Sequence, residues 1–274
     1  MSTINLSNSL TIMFPLRVDT IDRLVHLSFI IKYIAKGVDA QILICESDNK
    51  PIAKNYQTFN NILKDFKVRY YFVEDTTLFS MSKITNFMIN NTTTEFVMLH
   101  PCDVIFPDYT QYSDSINLLL NGYHFIWPFK LFITPGKFLT DKLISNSDFS
   151  LITKEYYLKH KDLFDNPPQE FFIGAGHVFN KNYLMNIGGF NENLVGWGHE
   201  DLEIKERLIK MGSKIAYLQR GLAVHLKHDR ISNFNSNGLN NRKEYNRIKK
   251  MTTLELENEI KSWKWRIPII GDKK

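Results

Sequence analysis

Gly196-Trp197-Gly198-His199-Glu200-Asp201 is the stretch on which the reading of this chain turns. Two adjacent carboxylates follow a tryptophan framed by glycines. They open a segment whose apolar residues, Leu202, Ile204, Leu208 and Ile209, recur with helical spacing. Carboxylates in the first turn of a helix lie at the positive end of its dipole, so Glu200 and Asp201 are both expected to be ionised. A carboxylate can take a proton from a hydroxyl, and an indole beside it offers a flat apolar face to a ring. A lone Glu-Asp pair more often does nothing beyond complementing the dipole. What lies on either side has to decide.

Downstream, Ala223-Val224-His225-Leu226-Lys227-His228-Asp229 places two histidines three residues apart, at or just beyond a short apolar strand. Imidazoles in that position can converge on a divalent metal, whereas a histidine of the core is normally isolated. Upstream, the apolar run Phe96–Leu99 is followed by His100-Pro101-Cys102-Asp103 and a second apolar run closed by Pro107. An aspartate at the carboxyl end of a strand in an α/β sheet stands where ligand and metal groups gather. Each signal is weak alone, and their order is what carries weight.

That order is a strand-end Asp103, then Phe172-Ile173-Gly174-Ala175-Gly176, then Gly188-Gly189-Phe190-Asn191-Glu192, then Gly-Trp-Gly-x-Glu-Asp, then the His pair. It resembles the GT-A glycosyltransferases, and within them the β-1,4-galactosyltransferase and chondroitin-polymerase-like branch, from about residue 9 to 230. Leu10–Arg17 is similar to the family's first strand and its Pro-x-Arg turn, which implies that Pro15 and Arg17 contact the uridine of a donor. Phe79–Asn86 stands where the family has a second donor-contacting helix, which brings in Phe79 and Lys83, and Gly174 joins the donor set. The resemblance makes Asp201 the base, lets Glu200 orient the acceptor, and gives Trp197 the stacking face that closes the site. Asp103, His225 and His228 would hold Mn²⁺ (or Mg²⁺), since hard oxygen plus imidazole suits that ion. His228 is the better match, and His225 stands where a thioether is often found.

The implied activity is inverting transfer of a sugar, galactose or an N-acetylhexosamine, from a UDP-sugar to a hydroxyl of a glycan or lipid-linked saccharide, in bacterial surface polysaccharide synthesis. Two departures bear on it. The family usually carries Asp-x-Asp where this chain reads Pro101-Cys102-Asp103, and Met81 stands where the galactosyltransferases place an arginine. Some other cation, Lys83 or one from the C-terminal part, would have to serve the diphosphate. A catalytically weak sugar-nucleotide-binding partner and a nucleotide-sugar hydrolase are the alternatives. The intact Glu200-Asp201 pair argues against the first, and Trp197 with its acceptor cleft against the second.

Strand-like runs at Leu10–Phe14, Gln41–Cys45, Val68–Val73 and Phe96–Leu99 alternate with helix-patterned segments. The expected fold is therefore α/β, with a mostly parallel sheet covered by helices on both faces. Tyr123–Trp127 and Gly176–Phe179 read as further strands. The segment from Pro128 to Pro168 has no clean period and is taken as an acceptor-side insertion with a helix near Thr153–Leu163. Residues 1–241 form the transferase domain, its donor half about 9–107 and its acceptor half about 108–241. Arg242–Lys261 reads as one helix within a C-terminal extension, 242–274.

At 274 residues the chain has room for a large core, and 43% hydrophobic with 23% charged residues is ordinary for a globular protein. Cys45 and Cys102, in apolar contexts without Cys-x-x-Cys spacing, point to a reducing, cytoplasmic setting. The polar first residues show no basic-then-apolar signal pattern. Residues 242–274 hold 10 Lys/Arg against 5 Asp/Glu, as large a net charge as the +5 of the whole chain. With Trp263, Trp265 and Ile267–Ile270 they suit docking on an anionic inner-membrane surface, or equally a helix packed on the domain. No binding motif supports nucleic acid as a partner.

Overall fold

The structure, a computed structural model, describes residues 3–229 and 236–266. The first half alternates as its hydrophobic pattern requires: β1 (Ile4–Asn5), β2 (Leu10–Leu16), α1 (Ile21–Gly37), β3 (Val38–Asp39), β4 (Gln41–Asp48), α2 (Gln57–Asp65), β5 (Arg69–Glu74), α3 (Met81–Asn90) and β6 (Phe96–Leu99). Every residue of β2 is buried. That is why its sequence is a continuous apolar run and not an alternating one, since helices cover both faces of a parallel sheet. The chain continues with β7 (Val104–Ile105), α4 (Thr110–Leu120), β8 (Phe125–Trp127), β9 (Leu131–Pro135), α5 (Lys137–Asn146), α6 (Lys154–Lys159), β10 (Phe164–Glu170), β11 (His177–Asn180) and α7 (Lys181–Asn186). It closes with α8 (Glu200–Lys210), β12 (Ile215–Tyr217), β13 (Leu222–His225), α9 (Gly238–Lys250) and α10 (Thr253–Ser262).

Seven strands form the main sheet in the order β12-β8-β11-β6-β2-β4-β5. β2, β4, β5 and β6 run parallel to one another, as do β8 and β12, while β11 is antiparallel to both of its neighbours. The expected mostly parallel sheet is therefore present, with β11 as its one reversed strand. A second sheet, β10-β9-β13-β7, is built largely from the segment that has no sequence period. Its β9–β10 ladder is antiparallel and slips register between Phe164 and Asn166 and again between Asn166 and Gln169. Pro167 and Pro168 have no N–H to give the ladder, so the bulges fall around them. The helix expected near Thr153–Leu163 is shorter than anticipated. α6 ends at Lys159, and residues 161–163 form a separate 3₁₀ turn.

This second sheet positions the site. β13 pairs antiparallel with β7, His225 opposite Val104, and the Leu226 N–H donates to the Asp103 carbonyl at 2.7 Å. Backbone pairing thus brings the His-pair strand beside the strand-end aspartate, although more than 120 residues separate them.

The C-terminal stretch corrects the sequence reading. It forms two helices, not one, because Thr252 caps α10 reciprocally with Glu255 in a capping box and ends the run at Met251. Trp263, counted above among groups for a membrane, is 6% exposed and packs with Ile248, Leu256 and Ile260. The Arg207 guanidinium lies 5.0 Å from the centre of its ring. Gly188 sits against it, since a Cβ there would come within 2.9 Å of the indole. The Ile267–Ile270 run lies outside the described residues. Among the described residues no helix is long and apolar enough to cross a membrane.

Candidate active site

A cavity of about 350 Å³ opens where the two sheets meet. Asp103, His225 and His228 line it together with Glu200 and Asp201, and Trp197, Pro15 and Gly174 are also in its wall. One carboxylate oxygen and one nitrogen from each histidine lie within 4.8 Å of one another. His228 Nε2 is 3.0 Å from Asp103 Oδ2, and His225 Nε2 is 3.9 Å from the same oxygen. His228 Nδ1 lies 2.8 Å from the Asp229 carbonyl, which can only accept, so that nitrogen carries a proton. Nε2 is then the nitrogen turned to the Asp103 carboxylate, where a proton or a metal ion can bridge the two. Anchoring a metal-binding imidazole through its other N–H to a backbone carbonyl is the usual support of such sites. The donor set therefore fits a divalent ion. Burial alone would push the Asp103 carboxyl up. The hydrogen bond with His228 and the attraction of His225 and Arg23 outweigh it and hold the group well below the usual carboxylate range.

Glu200 and Asp201 open α8 as the helical period requires, but their states differ from the expectation of two ionised groups. Glu200 is 8% exposed. Burial pushes its carboxyl up to about 8, the charge of Asp201 adds to this, and backbone N–H groups at Glu200 and Gly198 offset only part. Desolvation outweighs the helix dipole, which is worth at most about 2 kcal/mol. Glu200 is consequently protonated at neutral pH, and its Oε2 has no hydrogen-bond partner. Asp201 keeps more solvent contact and accepts a 2.8 Å hydrogen bond from His177 Nε2. Two neighbouring carboxyls thereby sit in different surroundings, one buried and one hydrogen-bonded at the cavity.

The turn before α8 is held in an unusual path. Gly196, His199 and Gly198 all have positive φ, at 81°, 75° and 102°. For His199 this left-handed conformation costs about 1 kcal/mol or more and survives only because the surroundings enforce it. Asn241 of α9, 1% exposed, does much of that: its Nδ2 donates toward the carbonyls of Val195, Trp197 and Gly198, and its Oδ1 accepts from the Val195 N–H. Trp197 lies against Phe79, ring centres 5.5 Å apart, with the Arg23 guanidinium 5.7 Å from its centre.

The donor candidates divide. Pro15 and Gly174 line the cavity; Arg17, Phe79 and Lys83 do not. Phe79 is buried behind Trp197. Arg17 donates to the Thr77 carbonyl at 3.3 Å, and the Lys83 ammonium lies 4.0 Å from Asp75 and is largely exposed. Both cations act electrostatically on Asp75 and stand at the carboxyl edge of the parallel strands. The cation that does reach the cavity is Arg23, whose Nη1 is 3.9 Å from Asp103 Oδ2 and 3.5 Å from Cys102 Sγ. It, and not Lys83, supplies positive charge beside the position that reads Pro101. Arg23 carries no motif, so only folding reveals it. His177 was passed over as a strand residue, and Asn166 and Gln169, which also face the cavity, sit in the proline-broken β10 that no periodicity marks.

Sheet order, the metal-type cluster and the acid–base pair define a class: the fold is that of the GT-A glycosyltransferases. A mannosyltransferase from Pyrobaculum calidifontis in complex with GDP-Man and Mn²⁺ superposes with a TM-score of 0.54 at 12% identity, covering 93% of this chain and 69% of that one. The catalytic domain of Drosophila β1,4-galactosyltransferase 7, in complex with xylobiose, gives 0.50 at 13% identity, with 89% and 82% covered. Within that class, residues 163–229 match the family described as the N-terminal domain of galactosyltransferase. Over 60 residues, 22% of this chain, the sequence is 35% identical to the chondroitin synthase of Escherichia coli, a stretch that spans 9% of that protein. The chain is thus galactosyltransferase-like in the sequence of that segment as well as GT-A in fold.

Proposed function

We propose that the protein is a metal-dependent, inverting glycosyltransferase that moves a sugar, galactose or an N-acetylhexosamine, from a UDP-sugar to a hydroxyl of a glycan acceptor. The observation that carries this is one cavity lined both by a metal-type donor set and by the adjacent carboxyls of Glu200 and Asp201. Asp103, His225 and His228 would hold Mn²⁺ or Mg²⁺, which supplies charge neutralisation for the departing diphosphate. The Arg23 guanidinium adds fixed positive charge on that side. Asp201 takes the proton of the attacking hydroxyl. Glu200, protonated and buried, donates a hydrogen bond that orients the acceptor, and Trp197 gives the sugar a flat face and excludes water. A base facing the anomeric carbon from the side opposite the diphosphate makes the displacement single-step and inverting. The similarity to a chondroitin synthase segment and the xylobiose bound by the superposed galactosyltransferase domain favour a glycan acceptor, and the Mn²⁺ of the superposed mannosyltransferase favours a metal.

The test is transfer measured over a panel of UDP-sugars and oligosaccharide acceptors, with Asp201→Asn as the control. The expected result is turnover in the wild type and a fall by a factor of about 10² or more in the variant, the usual worth of a general base. Near-full transfer by Asp201→Asn removes Asp201 from this role, and donor hydrolysis without transfer to any acceptor favours a hydrolase.

A further inference from the structure

We infer that His177 is a positioning residue for the proposed base: it fixes Asp201 by a hydrogen bond from Nε2 to Oδ1 and so commits Oδ2 to the acceptor hydroxyl. The inference rests on the functional reading above but stands on its own geometry. His177 is 1% exposed on β11, and its Nε2 lies 2.8 Å from Asp201 Oδ1. The ring is enclosed by Phe125, centroids 5.0 Å apart, and by Trp127, edge-on at 5.8 Å. Neither neighbour can accept a hydrogen bond in the ring plane, and His177 Nδ1 has no partner. A bare lone pair is tolerable there, whereas an N–H without an acceptor would cost roughly 1–3 kcal/mol. The surroundings therefore select the tautomer with its proton on Nε2, pointed at Asp201.

The other carboxylate oxygen is left open by a different device. A Cβ at Gly174 would stand 3.3 Å from Asp201 Oδ2 and 2.9 Å from the Phe172 ring, so the absence of a side chain there clears the approach. The turn that carries Gly174 is itself anchored by Trp127, whose Nε1 donates to the Ile173 carbonyl at 2.8 Å. One aromatic residue thus packs the donor imidazole and secures the gap in front of the accepting oxygen.

In the reaction the acceptor O–H bond breaks, its proton goes to Asp201 Oδ2, the oxygen bonds to the anomeric carbon, and the electron pair of the breaking bond leaves with the diphosphate. His177 exchanges no proton in this scheme. It keeps Oδ1 occupied and restrains rotation of the carboxylate, which sharpens the alignment of Oδ2.

Two measurements on the full chain test this. Long-range ¹H–¹⁵N correlation of the histidine rings in the unliganded protein should show His177 as the Nε2–H tautomer, with ring shifts that change in Asp201→Asn. The Nδ1–H tautomer, or shifts indifferent to Asp201→Asn, overturns the pairing whether or not transfer is ever observed. Turnover supplies the second arm. His177→Phe keeps an aromatic ring in the enclosure and loses the donor, while His177→Gln returns an N–H near the Nε2 position. We expect kcat to fall roughly 10- to 100-fold in the Phe variant with donor KM within about twofold, and Gln to recover to within about fivefold of wild type. The acid limb of kcat should move up by about one pH unit in His177→Phe only, because a carboxylate that loses a hydrogen-bond donor becomes easier to protonate. Glu200 and Tyr217, the titratable groups that interact electrostatically with Asp201, are unchanged in these variants. Equal loss in Phe and Gln with an unmoved acid limb would make His177 a packing residue only.

Discussion

Replacing Glu200 by Gln should make the protein more stable at neutral and alkaline pH. In the folded state burial and the neighbouring charge of Asp201 raise the Glu200 carboxyl to about 8, against an ordinary 4.5. Between those two values the unfolded chain has released this proton and the folded protein still holds it. The folded state is then the one that binds more protons, so stability falls as pH rises. Each pH unit in that window costs about 1.4 kcal/mol, and the deficit reaches on the order of 3 kcal/mol at pH 7 and ceases to grow above pH 8. Below the unfolded value the penalty is absent. Glutamine has nearly the shape of a protonated glutamate and no proton to lose, so its stability lacks this slope. Urea unfolding of both proteins at pH 5, 6, 7 and 8, with the m-values compared, reads the effect, because titrating groups other than the neighbouring Asp201 cancel in the difference. The gap should widen by about 3 kcal/mol or more from pH 5 to 8 in favour of Glu200→Gln. Parallel stability profiles would show that Glu200 is ionised in the folded protein, and the argument for its donor role would fall with it.

Three further outcomes follow from the same structure. Mn²⁺ should raise the thermal midpoint of the wild type, by the equivalent of about 2.7 kcal/mol at a hundredfold excess over its dissociation constant, and should not do so for Asp103→Asn; an equal shift in both proteins places the ion elsewhere. Asn241→Ala strips hydrogen bonds from the Val195–Gly198 backbone at roughly 1 kcal/mol each, so amide exchange of residues 195–198 should accelerate while α1 is unaffected, and unchanged protection would refute the clamp. Trp263→Ala should destabilise the fold by about 3–5 kcal/mol, as loss of a buried indole does, and a variant of wild-type stability that no longer sediments with anionic vesicles would restore a membrane role to that tryptophan.

Much of the fold was legible because parallel strands buried on both faces leave continuous apolar runs. β2, β4 and β6 stand out as such, β5 is a half-buried edge strand, and the helices between them carry the 3.6-residue period. The second sheet was hidden for an equally physical reason. β7 is two residues long, β13 four, and β10 is interrupted by Pro167 and Pro168, so none is long enough or regular enough to show a period of two. The chemistry-bearing residues with a motif, Trp197, Glu200, Asp201, Asp103, His225 and His228, come together in one cavity. Those taken only from the family resemblance of the Pro-x-Arg turn and of the Phe79–Asn86 segment, Arg17, Phe79 and Lys83, are not among the residues lining it, because a matched position in sequence does not fix where a side chain points. Arg23 and His177 could not be found at all from the sequence, since a cation on an amphipathic helix and a histidine in a strand are ordinary there.

The expectation that failed most instructively is the ionisation of Glu200. Adjacent residues at one helix N-terminus feel nearly the same dipole, yet burial pushes the Glu200 carboxyl up against it. What separates them is which way each side chain leaves the helix. Glu200 turns inward, its Oε2 without a partner, and Asp201 turns to His177 and the open edge of the cavity. Successive side chains leave an α-helix about 100° apart, and the positive φ of Gly196, Gly198 and His199 marks the entry into that first turn, which Asn241 holds from another helix. The glycines framing Trp197 therefore matter for where the two carboxyls are placed. A Gly198→Ala variant would test the link between backbone and protonation, for it strains the φ of 102° and with it the Gly198 N–H that interacts with the Glu200 carboxyl.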